Sequence, residues 1–158
     1  VMATTSTNKQ PLLVDRLLHY VVPMNTAFNN GIDPGGTNAA IMLVDATTSD
    51  GAILEDIYAI GRSTTPCNIN FYVSPSRDYL RPNEGVFVGR LVAPVSPGAV
   101  TSWESMPKTL TPVPHVGTEP FNRAFYLPKG LSFWAARDDT TSDVGNDAPL
   151  VGCQGGWF

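Results

Sequence analysis

Charged side chains are scarce in this sequence. Asp, Glu, Lys and Arg make up 15% of its 158 residues, against roughly 25% in an average soluble domain. The ten basic residues stand singly and the formal net charge is −4, which argues against the clustered cations of a nucleic-acid-binding surface. Much of the polar surface must therefore come from Ser, Thr and Asn. Such a surface suits a protein that packs against neighbours, and a neutral secreted domain is the alternative.

Long apolar runs and cysteines are also few. No stretch approaches the ~20 residues that span a bilayer, and the polar residues 1–10 lack the apolar segment of a signal peptide, so no membrane partner is expected. The two cysteines, Cys67 and Cys153, lie in apolar stretches, where a reduced thiol acts as a small hydrophobic side chain. Neither has a Cys-x-x-Cys partner or a nearby histidine, so we expect no disulfide and no metal site.

Groupings of residues that would carry catalysis do not stand out. His19 and His115 are the only imidazoles, and no Gly-x-Ser-x-Gly nucleophile motif accompanies them. Glu55 and Asp56 are adjacent in a predicted strand and point to opposite faces, which does not suit a glycosidase pair. The Gly-Gly dipeptides lack the Lys of a phosphate-binding loop. The sequence therefore predicts no enzyme and no cofactor.

The densest acidic segment is the loop at residues 138–147, which holds four aspartates. Calcium prefers several carboxylate or carbonyl oxygens as ligands, but the spacing here matches no EF-hand. A solvated hairpin loop is the interpretation that we prefer, with a calcium site as the alternative.

Glycine and proline, fourteen of each, punctuate the chain at the spacing typical of sandwich or barrel strands. About eight strands are predicted, at residues 12–22, 39–44, 53–60, 68–73, 86–92, 121–127, 131–137 and 150–153. Residues 12–22 are apolar on both parities, which fits a strand buried on two sides or, less well, a short helix. Residues 94–120 hold six prolines and predict edge strands and extended connections. The pattern favours an all-β, antiparallel two-sheet sandwich of jelly-roll type over residues 12–158, preceded by an extended arm at residues 1–11.

Side-chain alternation is clearest in two of these strands. In residues 68–73, one face carries Ile69, Phe71 and Val73, and the other Asn68, Asn70 and Tyr72. In residues 86–92, one face carries Val86, Val88 and Arg90, and the other Phe87, Gly89 and Leu91. Residues 53–60 alternate less regularly and predict a strand that contains a bulge.

Large aromatic residues are concentrated late in the chain. Phe133 and Trp134 are neighbours in one strand, so one of them is expected to pack in the core. The last strand is expected to stop at the Gly-Gly pair of residues 155–156, leaving Trp157 and Phe158 beyond it. Two exposed aromatic rings are unfavourable unless they dock on something. They either fold back over the core or insert into a neighbouring subunit.

Three motifs, in this order, resemble a family of small structural proteins of tailed-bacteriophage virions. Residues 51–73 read GAILEDIYAIGRSTTPCNINFYV, a Gly-led strand, a tight turn and a strand with an aromatic-rich Ile-x-Phe run. A Leu-Pro-x-Gly turn follows at residues 127–130, and Gly-Gly-Trp-Phe closes the sequence. The resemblance covers about residues 40–158. The proline-rich residues 107–120 and the acidic loop are less typical of that family.

The resemblance implies a structural component of a phage particle without enzymatic activity, located in the virion and assembled in the host cytoplasm. We expect a capsid decoration, or cement, protein. The alternative is a tail or fibre component, including a glycan-holding receptor-binding tip, for which Trp103, Tyr79 and the acidic loop are candidates. The expected partners are further copies of this chain, with a trimer favoured, and the major capsid protein or neighbouring virion proteins.

The interface with those partners is expected in three segments: the arm, the proline-rich segment and the end of the sequence. The residues predicted to form it are Lys9, Gln10, Pro11, Leu12, Pro112, Val113, Pro114, His115, Val116, Trp157 and Phe158.

Overall fold

The computed structural model describes residues 16–24, 40–62, 64–77, 85–95, 97–102, 115–116, 124–137 and 148–158. These residues form ten β-strands and no helix, which confirms the predicted all-β class. In chain order the strands are β1 Arg16–Pro23, β2 Ile41–Asp45, β3 Gly51–Ile60, β4 Cys67–Ser74, β5 Val86–Ala93, β6 Val100–Ser102, β7 His115–Val116, β8 Ala124–Pro128, β9 Ser132–Arg137 and β10 Leu150–Trp157.

The strands pair into two antiparallel sheets, as predicted. Sheet A has the order β1-β10-β3-β8-β7. Strand β8 pairs with the first half of β3, and β6 pairs with the last three residues of β3 on the same side. Sheet B has the order β2-β9-β4-β5. Of the first predicted strand, residues 12–22, the described part is a strand that spans Arg16–Pro23. The helical alternative is therefore wrong for these residues. The predicted arm at residues 1–11 lies outside the described residues.

The centre of the core is a cluster of three phenylalanine rings, each exposed by 1% or less. Phe133 of β9 stacks on Phe71 of the neighbouring β4, with ring centroids 5.4 Å apart. It also contacts Phe125 of β8, in sheet A, at 5.3 Å. Phe133 therefore packs in the core between the two sheets. This confirms the prediction that one of Phe133 and Trp134 is a core residue. Trp134 is buried as well, on the opposite face of sheet B, where its Nε1 donates a hydrogen bond to Ser132 Oγ at 2.6 Å.

Strand β5 departs from the predicted alternation. Val88 and Leu91 are both buried, whereas Arg90 is exposed, so the prediction that Val88 and Arg90 share a face is wrong. The register with β4 shifts so that Gly89 and then Phe87 oppose successive β4 residues, leaving Val88 as an extra residue. A β-bulge of this kind inserts one residue and inverts the alternation beyond it. In β4 itself the predicted inward face is confirmed by the burial of Ile69, Phe71 and Val73.

Strand β10 does not stop at the Gly-Gly pair, as the sequence predicted, but continues to Trp157. Its register with β3 shifts between Gln154 and Gly155, where Glu55 of β3 is an extra residue, and this confirms the bulge predicted for residues 53–60. At Gly155 the two backbones come so close that a Cβ would overlap the carbonyl oxygen of Ile53 and lie 2.9 Å from its carbonyl carbon. The glycine therefore allows the strand to pass the bulge instead of ending it.

Residues 94–120, which hold six prolines, contribute two short strands. Val100–Ser102 pairs with β3, and His115–Val116 lies at the outer edge of sheet A beside β8. Their shortness and edge positions agree with the prediction for residues 94–120.

Candidate interaction surface

Strand β1 is an apolar edge of sheet A. It pairs with β10 and, among the described residues, with no other strand. Leu17 is 85% exposed, Tyr20 41% and Val21 40%, whereas Leu18 and Val22 pack against the core. An edge strand also presents unpaired backbone N–H and C=O groups. We call this strand, Arg16–Pro23, the β1 edge; it offers apolar side chains and backbone hydrogen-bonding groups together.

Leu17, His19 and Val21 share the face of β1 that points away from the core, because alternate residues of a strand point to opposite faces. His19 Nε2 lies 3.2 Å from Tyr58 Oη on β3, two strands away. The Tyr58 ring crosses the intervening β10 over Gly152, where a Cβ would overlap it. Burial raises the pKa of Tyr58, with smaller contributions from Asp56 and Cys153. The contact ties the β1 edge to the centre of sheet A.

A second exposed apolar region runs along β5, which is an edge strand of sheet B. Its exposed side chains are Val86 at 59%, Phe87 at 43% and Val92 at 45%, and Val95 and Val100 lie further along the chain. The Phe87 ring meets Tyr72 edge to face, with ring centroids 5.8 Å apart. This region is less uniformly apolar than the β1 edge, because Arg90 is exposed within it and donates from Nε to Asn70 Oδ1 at 2.7 Å.

The two C-terminal aromatic rings fold back onto their own chain, one of the two alternatives from the sequence. Trp157 packs against the core, and the Arg16 guanidinium lies 5.4 Å from its ring centroid. Phe158 donates its backbone N–H to Gly51 and places its ring 5.8 Å from that of Tyr126. Both rings remain partly exposed, so their role in an interface stays a prediction.

The other predicted interface residues divide into two groups. His115 and Val116 pair with Phe125 and Ala124 as strand β7. The second group lies outside the described residues and consists of Lys9, Gln10, Pro11, Leu12, Pro112, Val113 and Pro114. Tyr79, Trp103 and the acidic loop, the candidates for glycan binding, also lie outside the described residues. The sequence reasoning missed the β1 edge as an interaction surface. The available signal was the absence of Lys, Asp and Glu from residues 17–22.

Neither cysteine is in a disulfide, and both are buried in the core cluster. Cys153 lies on β10 opposite Ile57 of β3. Burial raises the pKa of its thiol to about 12, because an apolar surrounding disfavours the charged thiolate. The thiol is therefore a packing group in the folded protein.

The free energy of unfolding is expected to fall as the pH rises above about 8.5, the usual pKa of an unfolded cysteine. The folded state holds the Cys153 proton up to a pKa of about 12, so this stabilisation is complete below pH 8.5 and is lost as pH rises towards 12. Urea unfolding between about pH 7 and 9 measures it, below the usual tyrosine pKa of about 10. Cys153→Ala should flatten the slope, and an unchanged slope would contradict the assignment.

Comparison of the chain with protein-family models, with curated proteins and with solved structures finds no match. No helix among the described residues is long and apolar enough to cross a membrane. In the same part of the chain, no three His, Cys, Asp or Glu side chains are grouped so that they could hold a metal ion. The exposed apolar strands are therefore the structural observation that bears on function.

Proposed function

We propose that this protein is a structural component of a bacteriophage virion and acts as a capsid decoration protein. The observation that carries the proposal is the large apolar exposure on strands at sheet edges, 85% at Leu17 and 59% at Val86, in a chain with few charges. Exposed apolar groups on a charge-poor surface favour contact with other proteins. The motif resemblance supplies the phage particle as the setting.

We further propose that the two sheets form a jelly roll. Four strands pair in the order β1-β10-β3-β8 and four in the order β2-β9-β4-β5. Successive strands from β1 to β4, and again from β8 to β10, alternate between the two sheets. Eight strands in two sheets, built from two Greek keys, are the jelly-roll arrangement found in viral capsid and lectin domains. The strand order is therefore compatible with a virion role, and equally with the glycan-binding candidate below.

The mechanism in this proposal is passive. Each copy buries apolar surface against the shell or a neighbouring copy, and burial contributes roughly 25 cal/mol per Å². A single contact of modest area binds weakly, but linked contacts add through effective concentration. Repetition over the capsid lattice would convert many weak contacts into a measurable stabilisation of the shell.

The copy number in purified virions tests the proposal. A decoration protein should be present in proportion to the major capsid protein on a stained gel. Capsids that lack it should regain thermal stability when the purified protein is added. A small fixed number of copies, with no effect on capsid stability, would contradict the decoration role and favour the tail.

Removal of residues 1–10 tests the predicted arm. The truncated protein should keep its far-ultraviolet circular dichroism, because the described strands begin at Arg16. Its binding to capsids should weaken, because the arm carries predicted interface residues. Equal binding of the truncated and full-length proteins would show that the arm does not contribute.

A glycan-binding tail component is the second candidate, and one observation favours it. On the outer face of sheet B, the Tyr72 and Phe87 rings lie beside Arg90 and Asn70. Aromatic surfaces with a few fixed polar groups are typical of small-ligand sites. Binding to host-surface glycans that is lost in Phe87→Ala, with the fold unchanged, would support this candidate over decoration.

A further inference from the structure

We infer that the β1 edge pairs with the β1 edge of a second copy of this chain, across a two-fold axis, so that the two A sheets become one continuous sheet. The inference rests on the proposed function in one respect, because it names the surface through which an assembling protein contacts its own kind. The following observations on β1 carry it.

Within the described residues, the β1 edge carries few of the devices that protect an edge strand from pairing. Natural edge strands are kept apart by charged side chains, prolines, bulges or short length. This strand is eight residues long, and its register with β10 runs from Arg16 to Pro23 without a shift. Between those two end residues it contains no Lys, Arg, Asp, Glu or Pro. An edge of this kind is a template on which a partner strand can pair.

The side chains of β1 are self-complementary in one register. An antiparallel pair related by a two-fold axis at His19 places Leu17 of each copy opposite Val21 of the other. These are the most exposed apolar residues on that face, at 85% and 40%. A two-fold axis at Tyr20 would instead place Leu17 opposite Pro23. Directly opposed apolar side chains stabilise a strand pair, so the register centred on His19 is favoured.

The charge of the strand favours the same arrangement. Arg16 is the one formally charged residue of β1. In the antiparallel pair the two Arg16 side chains lie at opposite ends, each opposite Val22 of the other copy. A parallel arrangement would place them side by side, and like charges directly opposite each other destabilise a sheet. The distribution of charge therefore matches a two-fold axis, and together with the self-complementary register it favours a second copy as the occupant.

The expected affinity follows from the size of the contact. Eight residues extend about 27 Å along a strand, and one strand edge offers less area than the ~800 Å² per partner of a standard interface. The isolated dimer is therefore expected to dissociate in the micromolar range, and a lattice would strengthen it through effective concentration. Because the contact is two-fold, the trimer that the sequence favours would require a separate surface.

Sedimentation velocity over a range of protein concentrations tests the pairing. The protein without substitutions should shift from monomer to dimer as its concentration rises. Leu17→Lys should weaken dimerisation at least tenfold, because it replaces the apolar side chain opposite Val21 of the other copy with a charged one. Val86→Lys is the matched control, since it adds the same charge at a 59% exposed valine on the edge of sheet B, and it should dimerise normally.

Two outcomes of that experiment would overturn the pairing. One is a monomer at every concentration, and the other is a dimer lost in Val86→Lys but retained in Leu17→Lys. Deleting residues 1–15 addresses a different occupant of the edge. The dimer should persist in the truncated protein, and its loss would assign the edge to the N-terminal segment and overturn the inference.

Engineered cysteines test the register. His19→Cys should form a disulfide between copies under mild oxidation, because a two-fold axis there places residue 19 opposite itself. The two natural cysteines are buried and should not compete. Tyr20→Cys is the matched control and should not cross-link. Cross-linking of Tyr20→Cys alone would overturn the register centred on His19.

These results are distinguishable from a failure of the proposed function. An abundant capsid protein that stays monomeric in isolation, even when concentrated, would overturn the β1 pairing and leave decoration intact. A dimer with the expected Leu17→Lys and His19→Cys behaviour that is absent from capsids would support the pairing and contradict decoration.

Discussion

Phe133→Ala is expected to lower the free energy of unfolding by about 3–5 kcal/mol, the range for removing a buried aromatic ring. Phe133 has no exposed surface, and its ring contacts Phe71 within sheet B and Phe125 in sheet A. The substitution would remove apolar surface from both sheets and leave a cavity at the point where they meet. Urea unfolding followed by tryptophan fluorescence measures the change.

Phe87→Ala is the control for that result. Its ring is 43% exposed on the edge strand of sheet B, so its loss should cost about 1 kcal/mol or less. Phe133→Leu should fall between the two, because it keeps most of the buried volume. Equal losses for Phe133→Ala and Phe87→Ala would contradict the placement of Phe133 at the centre of the core.

Those features of the fold that depend on neighbouring residues could be predicted from the sequence. Alternation in β4 identifies the inward face because one side of the strand is buried and the other is not. The Leu-Pro-x-Gly motif predicts a turn, and the structure has Gly130 at φ 87° in that turn, a backbone conformation that glycine adopts without strain. The all-β class follows from the regular spacing of such turns and strands.

The bulge in β5 could not be predicted, because it depends on the partner strand, whereas the irregular alternation of residues 53–60 did predict the bulge at Glu55 in β3. In β5 the alternation remains plausible in the sequence through Val88 and Arg90, and only the register with β4 reveals the extra residue. In β10 the Gly-Gly pair suggests an end to the strand, whereas the approach of the Ile53 carbonyl explains why a glycine is needed within it. Each case involves residues far apart in the sequence.

The β1 edge shows why the candidate surface was harder to predict than the fold. A strand that is apolar on both parities is expected to be buried on both sides. In the structure one side, with Leu18 and Val22, packs against the core, while Leu17 and Val21 on the other remain exposed. The sequence pattern is the same for a strand buried within one chain and for one that a second chain covers. The pairing with β10, more than a hundred residues later in the chain, places β1 at the edge of sheet A, and the sequence pattern does not contain that position.

Gly155→Ala is expected to lower the free energy of unfolding by about 3 kcal/mol, the upper part of the range for overpacking. The added Cβ would overlap the Ile53 carbonyl oxygen and lie 3.0 Å from Leu54 Cα, and both are backbone atoms of the adjacent strand. Because neither can rotate away, β3 and β10 would have to separate at the centre of sheet A. Urea unfolding measures the loss, and protection of the β10 amides from hydrogen exchange should fall with it.

Gly98→Ala separates this steric effect from backbone strain. Gly98 has φ +83° and no atom within 4 Å of the position that a Cβ would take, so its substitution carries the left-handed backbone penalty of about 1–2 kcal/mol and no overlap. Gly155 has the opposite properties, a close backbone neighbour and no positive φ. A larger loss for Gly155→Ala than for Gly98→Ala shows that the contact between strands requires the glycine. The reverse order would mean that β10 can move away from β3 at the bulge at little cost, and that this part of sheet A is not held tightly.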